Sequence, residues 1–357
     1  MVLDLTASSA ALTRAICDIP SVSGDEKTLA DAIEQSVAPL AHLEVIRHGN
    51  TIVARTDRGR DRRVAIAGHI DTVPVNGNLP TRDIEVDGEP YLWGRGTVDM
   101  KAGTAVQLKL AAELTDPAVD ITWMWYDNEE VEATKNGLAL LAAARPDLLQ
   151  ADFAILGEPS NGEVEGGCNG TLRAIVRTSG VRAHSARAWI GENAIHRAAP
   201  ILTRLAEYRA REVPVEGLLY RESLSAVRIA GGVAGNVIPD ACEVEVNYRF
   251  APSKSAADAE AHVRAVLAGF DVEITDAAEG ARPGLDADIA RDFVAAVGAE
   301  PRPKYGWTDV ARFSALGIPA VNYGPGDPHL AHHDEERVPL AQIAAVEQGL
   351  RAWLTSH

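Results

Sequence analysis

Cysteine is scarce in this sequence. The 357 residues include three cysteines, Cys17, Cys168 and Cys242, which lie far apart and form no CxxC pair. Such a set excludes a disulfide framework and a zinc-thiolate knuckle. We therefore expect free thiols, the state that a reducing cytoplasm maintains.

Basic runs and long apolar runs are also missing. The N-terminal stretch MVLDLTASSAALTRAICDIP lacks the basic region and apolar core of a signal peptide, and no stretch is apolar enough to cross a bilayer. The formal net charge is -17, and no run of Lys or Arg offsets it. Nucleic acid and anionic membranes would be repelled, so we expect a cytoplasmic protein without either partner.

Strands and helices alternate over the first half of the chain. Val64–Ala67, Ile121–Tyr126 and Ala151–Leu156 are short apolar runs typical of buried strands, whereas Met100–Leu114 and Gly137–Ala144 have helical composition. This alternation favours an α/β fold with parallel strands.

The pattern changes near residue 172. LRAIVRTSG, SAVRIAGG and CEVEVNYRF alternate apolar and polar residues, as half-buried antiparallel strands do, and helical stretches lie among them at Ala194–Ala210 and Ala256–Ala268. The α/β pattern returns after ARPGLD, with the strand IPAVNYG and a closing helix over Pro339–Leu354. We predict one domain built from residues 1–171 and 284–357, with an α+β domain inserted at 172–283.

A histidine and an aspartate follow the strand Val64–Ala67. In VAIAGHIDTVPV, His69 and Asp71 are two residues apart, and such residues point to the same side of an extended backbone. Asp71 can therefore hydrogen-bond one ring nitrogen of His69 and orient the other outward, as happens behind metal-bound imidazoles. A surface histidine at a polar strand end is the alternative, because a motif as short as GHID also occurs by chance.

Other acidic residues and histidines also follow predicted strands or precede a helix. They are Asp99 in GRGTVDMKAG, Glu129 and Glu130 in YDNEEVEA, Glu158 in ILGEPS, and His332 and His333 in LAHHDEERV. In open α/β sheets the carboxyl edge of the strands is where ligands bind. Clusters of histidine and carboxylate suit divalent metals, zinc above all. Helix caps and loop acids explain any one of these motifs, but all of them together predict a shared metal site.

These motifs, in this order, resemble those of the M20 metallopeptidases, di-zinc amidohydrolases that include acetylornithine deacetylase, aminoacylase and carboxypeptidase G. The likeness extends from PSVSGDE at 20–26 to the His332 loop. It implies a zinc-peptidase-like catalytic domain with a mostly parallel sheet and an inserted α+β lid or dimerisation domain. It also implies two Zn²⁺ ions, with Co²⁺ as the alternative, an N-acyl amino acid substrate and a homodimer.

The resemblance assigns the metal ligands. His69 and Glu158 correspond to ligands of one zinc, and Glu130 and His332 to ligands of the other. Asp99 corresponds to the carboxylate that bridges both ions. His332 fits the family's spacing to the Glu-x-Val of EERV, whereas His333 does not.

The resemblance also assigns catalytic roles. Glu129 corresponds to the general base that takes a proton from water and delivers it to the leaving amine. Asp71 corresponds to the carboxylate behind His69. His184, in GVRAHSAR, matches a histidine that the inserted domain offers to the substrate, commonly across a dimer interface. The alternative for His184 is a surface loop residue.

Within the family, the segment GGVAGNVIPDACEVEVNYRF resembles succinyl-diaminopimelate desuccinylases, in which an Asn and an Arg hold substrate carboxylates. Here these residues are Asn236 and Arg249, although NVIP could be only a turn and Arg249 a solvated strand end. KYGWTDVARF nominates Thr308, in a loop one residue longer than the desuccinylase pattern. GCNGTLR departs from the paired arginines of other desuccinylases and leaves Arg173 as a replacement.

The predicted reaction is hydrolysis of N-succinyl-LL-2,6-diaminopimelate to succinate and LL-diaminopimelate, in lysine biosynthesis. An acetylornithine deacetylase, an aminoacylase or a dipeptidase would share every metal ligand. A non-catalytic binding protein on the same scaffold is disfavoured because Glu129 is present. A structural α/β protein without metal is the remaining alternative, which metal analysis would test.

Overall fold

The computed structural model describes residues 2–356, and the chain divides into two compact units. The first unit contains the residues up to Gly166, Pro283–Arg302 and the residues from Arg312 onward. The second contains Gly167–Arg282 and Pro303–Ala311. The sequence pattern had placed 303–311 with the α/β part of the chain.

Helices occur in both units. The α-helices are α1 (Ser9–Cys17), α2 (Lys27–Val37), α3 (Lys101–Glu113), α4 (Gly137–Ala144), α5 (Ala194–Arg197), α6 (Ala199–Glu207), α7 (Ala256–Val266), α8 (Asp288–Val297), α9 (Val310–Ala315) and α10 (Leu340–Leu354). Short 3-10 helices span Pro146–Leu148, Ser185–Ile190 and Pro328–Leu330. Within residues 2–356, no helix has the length and apolar character needed to span a membrane.

The strands up to residue 166 are β1 (Glu44–His48), β2 (Thr51–Arg55), β3 (Arg63–His69), β4 (Arg82–Val86), β5 (Glu89–Trp93), β6 (Asp120–Tyr126), β7 (Phe153–Leu156) and β8 (Glu165–Gly166). The later strands are β9 (Gly170–Ser179), β10 (Ala183–His184), β11 (Glu212–Val215), β12 (Leu218–Arg221), β13 (Ser223–Gly231), β14 (Val237–Ile238), β15 (Ala241–Phe250), β16 (Asp271–Ala278), β17 (Arg302–Pro303), β18 (Ala320–Asn322) and β19 (Arg337–Pro339).

The main sheet of the first unit has the strand order β1-β2-β6-β3-β7-β18-β8-β17. Its central strands β6, β3, β7 and β18 run parallel, while β1, β2 and β8 pair antiparallel. Every residue of β6 and β7 is buried, as expected for parallel strands covered on both faces. The predicted α/β class with a mostly parallel sheet is confirmed. A smaller sheet has the order β19-β5-β4.

Helix α3 lies unusually close to the sheet. A Cβ added at Gly103 would be 2.1 Å from the carbonyl oxygen of Gly157, just beyond the end of β7. Glycine at this position therefore permits an approach that any side chain would prevent. The turn before α3 carries Asp99 and the residue after Gly157 is Glu158, so this contact sets the spacing of two candidate ligands.

The second unit is built on the antiparallel sheet β13-β15-β9-β16. Alternate residues of β9 and β15, such as Val176 and Val244, face a core that also contains residues of α5, α6 and α7. The other face carries polar side chains, which matches the alternation in the sequence. This part of the chain therefore has the predicted α+β character.

Two details differ from the sequence-based expectation. The single helix predicted over Ala194–Ala210 is instead α5 and α6, with Pro200 in the first turn of α6. Proline lacks an N–H and is favoured where a helix begins, so it separates the two. The hairpin β4–β5 and the strand β16 were not predicted, although Val272 and Ile274 of β16 alternate with polar residues as in a half-buried strand.

Candidate metal centre

His69 ends strand β3 and is buried, with 1% of its surface exposed. Its Nε2 lies 3.1 Å from Oδ1 of Asp99, which comes from the turn before α3. The same nitrogen lies 4.0 Å from Oε1 of Glu158, just beyond β7. Three separate chain segments thus bring one imidazole and two carboxylates to the carboxyl edge of the sheet.

A second group shares Asp99 with the first. His332 Nε2 lies 3.2 Å from Oδ2 of Asp99 and 2.9 Å from Oε1 of Glu130. The two oxygens of Asp99 therefore face different histidines, Oδ1 towards His69 and Oδ2 towards His332. This is the geometry that a carboxylate bridging two ions requires.

The ligand atoms of each group fit a single ion. Within the groups His69–Asp99–Glu158 and Asp99–Glu130–His332, one atom from each residue lies within 4.8 Å of the others. Ligands at zinc-like bond lengths around one tetrahedral ion lie about 3.3 Å apart. The distances from the two histidines to these carboxylates range from 2.9 to 4.0 Å. Imidazole and carboxylate are also the donor types that suit zinc and cobalt.

Asp71 connects several parts of this centre. Its Oδ1 lies 3.4 Å from His69 Nδ1 and accepts the N–H of Glu129 at 3.0 Å. Its Oδ2 accepts the N–H of Glu130 at 3.1 Å and the hydroxyl of Ser23 at 2.7 Å. Burial favours the neutral acid, but the hydrogen bonds from His69, Ser23 and Glu129 outweigh it and lower the pKa of Asp71. The carboxylate thus orients the Glu129–Glu130 segment and faces Nδ1 of His69, which lies 3.1 Å from the backbone carbonyl of Asp71 as well.

Neighbouring carboxylates favour the charged form of both histidines. Burial opposes the charge on His69, yet hydrogen bonds with Asp71 and Asp99 raise its pKa well above 6.5. Hydrogen bonds with Asp99 and Glu130 raise the pKa of His332 to about 10. Burial of Asp99 favours its neutral form, but His332 and His69 hold its pKa far below the usual range. The carboxylates that would bind a cation therefore favour positive charge beside them.

Glu129 lies beside these groups. One of its carboxylate oxygens falls within 4.8 Å of ligand atoms of His69 and Glu130. His333, in contrast, belongs to none of the metal-type groups found among the described residues. Its Nδ1 accepts the N–H of Glu335 at 3.1 Å, which makes it part of a local turn.

Two of the predicted site residues of the second unit, His184 and Asn236, lie next to each other. His184 pairs with Val237 in the β10–β14 ladder, and the N–H of Ser185 donates to the carbonyl of Asn236 at 2.8 Å. The Nδ1 of His184 accepts the N–H of Ala186 at 3.0 Å. This bond leaves Nε2 as the nitrogen of His184 that can face a ligand.

The other predicted substrate residues lie elsewhere in the same unit. Arg173 on β9 pairs with Asn247, two residues before Arg249 on β15, so both arginines are on the polar face of the sheet. Burial and the charge of Arg173 lower the pKa of Arg249. Thr308 is buried, and its carbonyl accepts a hydrogen bond from the thiol of Cys168. Cys168 in turn slightly opposes the lowering of the pKa of Arg249.

These two clusters are far apart within one chain. Ala241 pairs with Ser179 and Arg249 with Thr171, at opposite ends of the β9–β15 ladder. The extended strand between Ala241 and Arg249 spans roughly 26 Å. Asn236 and His184 lie beyond the Ala241 end. The structure therefore does not bring Asn236 together with Arg249.

Sequence reasoning missed a buried ion pair next to the metal-type groups. Arg95 Nη1 lies 2.9 Å from Oε2 of Glu336, and both side chains are almost fully buried. Oε1 of Glu336 accepts the N–H groups of Val98 at 2.8 Å and Asp99 at 3.0 Å. The motifs GRG and EERV contain both residues, so an arginine and a glutamate in two site motifs were the available signal.

Comparison with known proteins identifies one protein family. The model of the family described as Peptidase family M20/M25/M40 matches residues 65–356. A candidate succinyl-diaminopimelate desuccinylase of Mycobacterium tuberculosis is 55% identical over 99% of both chains. The succinyl-diaminopimelate desuccinylase of Corynebacterium glutamicum is 46% identical, over 99% of this chain and 98% of its own.

Solved structures share the fold at low sequence identity. A tripeptidase from Staphylococcus aureus has a TM-score of 0.79 and 19% identity, over 99% of this chain and 98% of that one. The YXEP protein of Bacillus subtilis, described as a dinuclear metal-binding peptidase of the M20 family, has a TM-score of 0.71 and 17% identity, over 97% and 96%. Given the match to the family model and the extent of these likenesses, the chain belongs to the M20/M25/M40 peptidase family.

Proposed function

We propose that this chain is a hydrolase that uses two metal ions to cleave N-succinyl-LL-2,6-diaminopimelate to succinate and LL-diaminopimelate in lysine biosynthesis. The observation that carries the proposal is Asp99, whose two carboxylate oxygens face His69 and His332 separately. The succinyl-diaminopimelate specificity comes from the names of relatives that match nearly the whole chain.

The proposed ions are zinc, with cobalt as the alternative. His69, Asp99 and Glu158 would hold one ion, and Asp99, Glu130 and His332 the other, as their atom spacings support. When bound, such ions supply Lewis-acid activation of water and of the scissile carbonyl. Every other step falls to side chains of the protein.

Glu129 is the proposed general base. Its carboxylate lies beside His69 and Glu130, and its backbone N–H is held by Asp71. A carboxylate in this position can take a proton from the attacking water and deliver it to the leaving amine. Asp71 acts through its neighbours, because it fixes both His69 and the Glu129–Glu130 segment.

The substrate carries several carboxylates, and the second unit contains cationic groups suited to them. Arg249 is half-buried, and its Nε donates to Oδ1 of Asn247 at 3.0 Å. A guanidinium can bind a substrate carboxylate bidentately. Arg249, Arg173 and Thr308 are therefore proposed to hold one carboxylate, while Asn236 and His184 contact another part of the substrate.

The separation of these clusters favours a homodimer. An N-acyl amino acid is shorter than the span between Asn236 and Arg249, so one chain cannot present both to the same molecule. The edge strand β13 also exposes apolar side chains: Val227 is 61% exposed and Val233, just beyond the strand, is 69% exposed. Exposed apolar edges mark interaction sites. A second copy is the proposed occupant, contributing His184 and Asn236 to the first copy's site.

The cytoplasm is the proposed location. Cys17, Cys168 and Cys242 are all buried free thiols. Burial raises the pKa of the Cys17 thiol to about 12 and that of Cys168 to about 11, so neither forms a thiolate easily. Unreactive thiols of this kind suit a reducing compartment.

Acetylornithine deacetylase, aminoacylase and dipeptidase activities use the same metal residues, so a substrate comparison has to decide between them. We expect the metal-loaded enzyme to hydrolyse N-succinyl-LL-diaminopimelate with a kcat/KM at least about 100-fold above that for N-acetylornithine. The acetyl group lacks the succinyl carboxylate, and loss of one charged contact in a buried site lowers kcat/KM by about that factor. Chelation should abolish hydrolysis and added Zn²⁺ should restore it. Equal rates on the acetyl and succinyl substrates would contradict the proposed specificity, and activity after complete metal removal would contradict the proposed chemistry.

A further inference from the structure

We infer that Arg95 and Glu336 are positioning residues for the metal position formed by Asp99, Glu130 and His332. The inference rests on the proposed function, because it assumes that these three residues bind an ion. It assigns a role to a buried pair that touches none of the reacting groups directly.

The pair lies where two site loops leave a common sheet. Strands β5 and β19 are antiparallel neighbours, with Trp93 opposite Arg337. Beyond Trp93 the chain runs to Asp99, and before Arg337 it comes from His332. Past this pair the backbones make one further bond of the ladder type, from the N–H of Gly94 to the carbonyl of Glu336. Contacts between the loops must therefore set the distance from Asp99 to His332.

Glu336 supplies most of these contacts. Its carboxylate accepts the N–H groups of Val98 and Asp99, so it binds the backbone of the proposed bridging ligand. Its own carbonyl accepts the N–H of Gly94 at 2.9 Å. Glu336 is fully buried, and burial of a carboxyl group is unfavourable unless hydrogen bonds compensate for it.

Arg95 completes the connection in the other direction. Its guanidinium binds Oε2 of Glu336 and also donates from Nη1 to the carbonyl of His333, at 3.3 Å. That carbonyl follows His332 directly in the chain. The pair thus holds the backbone on both sides of the Asp99–His332 contact.

One metal position should be affected more than the other. His332 lies on one of these loops and Asp99, which both positions share, on the other, whereas His69 and Glu158 come from β3 and from the end of β7. Loss of a partner that orients ligands lowers metal affinity by about 10–100-fold. We expect this loss mainly for the ion bound through His332.

The test measures stepwise Zn²⁺ affinity of the metal-free full-length protein by competition with a chelator. Glu336→Gln keeps the size of the side chain but turns an amide N–H₂ or a neutral oxygen towards Arg95. His332→Ala identifies which of the two binding steps belongs to this position. Absorption of bound Co²⁺ provides a second readout that reports ligand geometry.

Asp120→Asn is the matched control. Asp120 is also a buried carboxylate that accepts two backbone N–H groups, from Arg58 at 2.7 Å and Arg60 at 3.0 Å. It begins strand β6 and therefore lies at the sheet edge opposite the metal-type groups. This substitution should lower thermal stability without changing either Zn²⁺ affinity or the Co²⁺ spectrum.

The expected result is that Glu336→Gln weakens the step assigned by His332→Ala about 10–100-fold and alters the Co²⁺ spectrum, with a smaller change in the other step, which shares Asp99. Equal affinities in Glu336→Gln and Asp120→Asn would overturn the inference. If Glu336→Gln fails to fold, Arg95→Lys is tested instead and should weaken the same Zn²⁺ binding step. Lysine keeps the positive charge but cannot donate to both the carbonyl of His333 and Oε2 of Glu336. A wild-type protein that binds fewer than two ions would instead refute the proposed function itself.

Discussion

Asp71 and Glu129 are joined by a hydrogen bond, in which Oδ1 of Asp71 accepts the backbone N–H of Glu129 at 3.0 Å. The same carboxylate faces Nδ1 of His69. The proposed base and a proposed metal ligand are therefore oriented by one side chain. This relationship makes Asp71 more than a support for an imidazole.

Asp71→Asn should impair both functions at once. An amide N–H₂ cannot accept a hydrogen bond. Depending on how the amide is turned, either the N–H of Glu129 loses its acceptor, or the N–H of Glu130 and the hydroxyl of Ser23 lose theirs. We expect metal affinity to fall about 10–100-fold, as for other residues that orient ligands. Ser23→Ala removes only the hydroxyl bond and is the control. Unchanged Zn²⁺ binding and kcat in Asp71→Asn would show that these bonds do not position the site.

Glu129→Ala should separate binding from catalysis. The substitution removes a carboxylate that the proposed mechanism uses for proton transfer and not for metal binding. We expect kcat to fall by about 10²–10⁴-fold, the usual contribution of a general base, with two ions still bound. Metal content by atomic absorption and kcat from the same preparation provide the measurement. If the variant still turns over at the wild-type rate, another group must be the base.

His184→Ala should lower kcat while metal content stays the same, because His184 belongs to the second unit and to none of the metal-type groups in the described chain. A mixing experiment tests the proposed dimer as well. In a mixed dimer of His184→Ala and Glu129→Ala chains, one site would carry both substitutions and the other neither. Random mixing should then restore about one quarter of wild-type activity in a twofold-symmetric dimer. Absence of any recovery in confirmed mixed dimers would place His184 in the site of its own chain.

Metal binding should release protons. The pKa of His332 is raised to about 10 by Asp99 and Glu130, so at pH 8 the metal-free protein carries a proton that an ion must displace. Below pH 10 the affinity should therefore rise with pH, by about tenfold per pH unit for each proton released. Calorimetric titration with Zn²⁺ in buffers of different ionisation heat gives the number of protons. His332→Ala should release at least one proton fewer, and an equal number would contradict the assignment.

Much of the first unit was predictable from sequence. Strands such as β3 and β6 are continuous apolar runs, and their carboxyl ends carry His69 and the Glu129–Glu130 pair. Parallel strands bring their carboxyl ends to one edge, so the convergence of these residues follows from topology. The two-residue spacing of His69 and Asp71 was also informative, because an extended backbone alone predicts that both side chains point to the same side.

Other features depend on contacts that no local pattern encodes. The separation of Asn236 from Arg249 results from the β9–β15 register, which becomes visible only when the strands are paired. The bonds from Asp71 to two backbone N–H groups join segments nearly sixty residues apart. The Arg95–Glu336 pair joins parts of the chain that are even more distant. Arginine and glutamate in polar motifs are ordinarily solvated, so sequence alone gives no reason to bury them.

The close approach of Gly103 to Gly157 has a consequence for how close two candidate ligands can come. The backbone carrying Asp99 and Glu158 has no room to move inwards, and a close-packed interior resists expansion. Glycine at position 103 therefore sets the smallest separation of these two segments, and Gly103→Ala should push Asp99 and Glu158 apart.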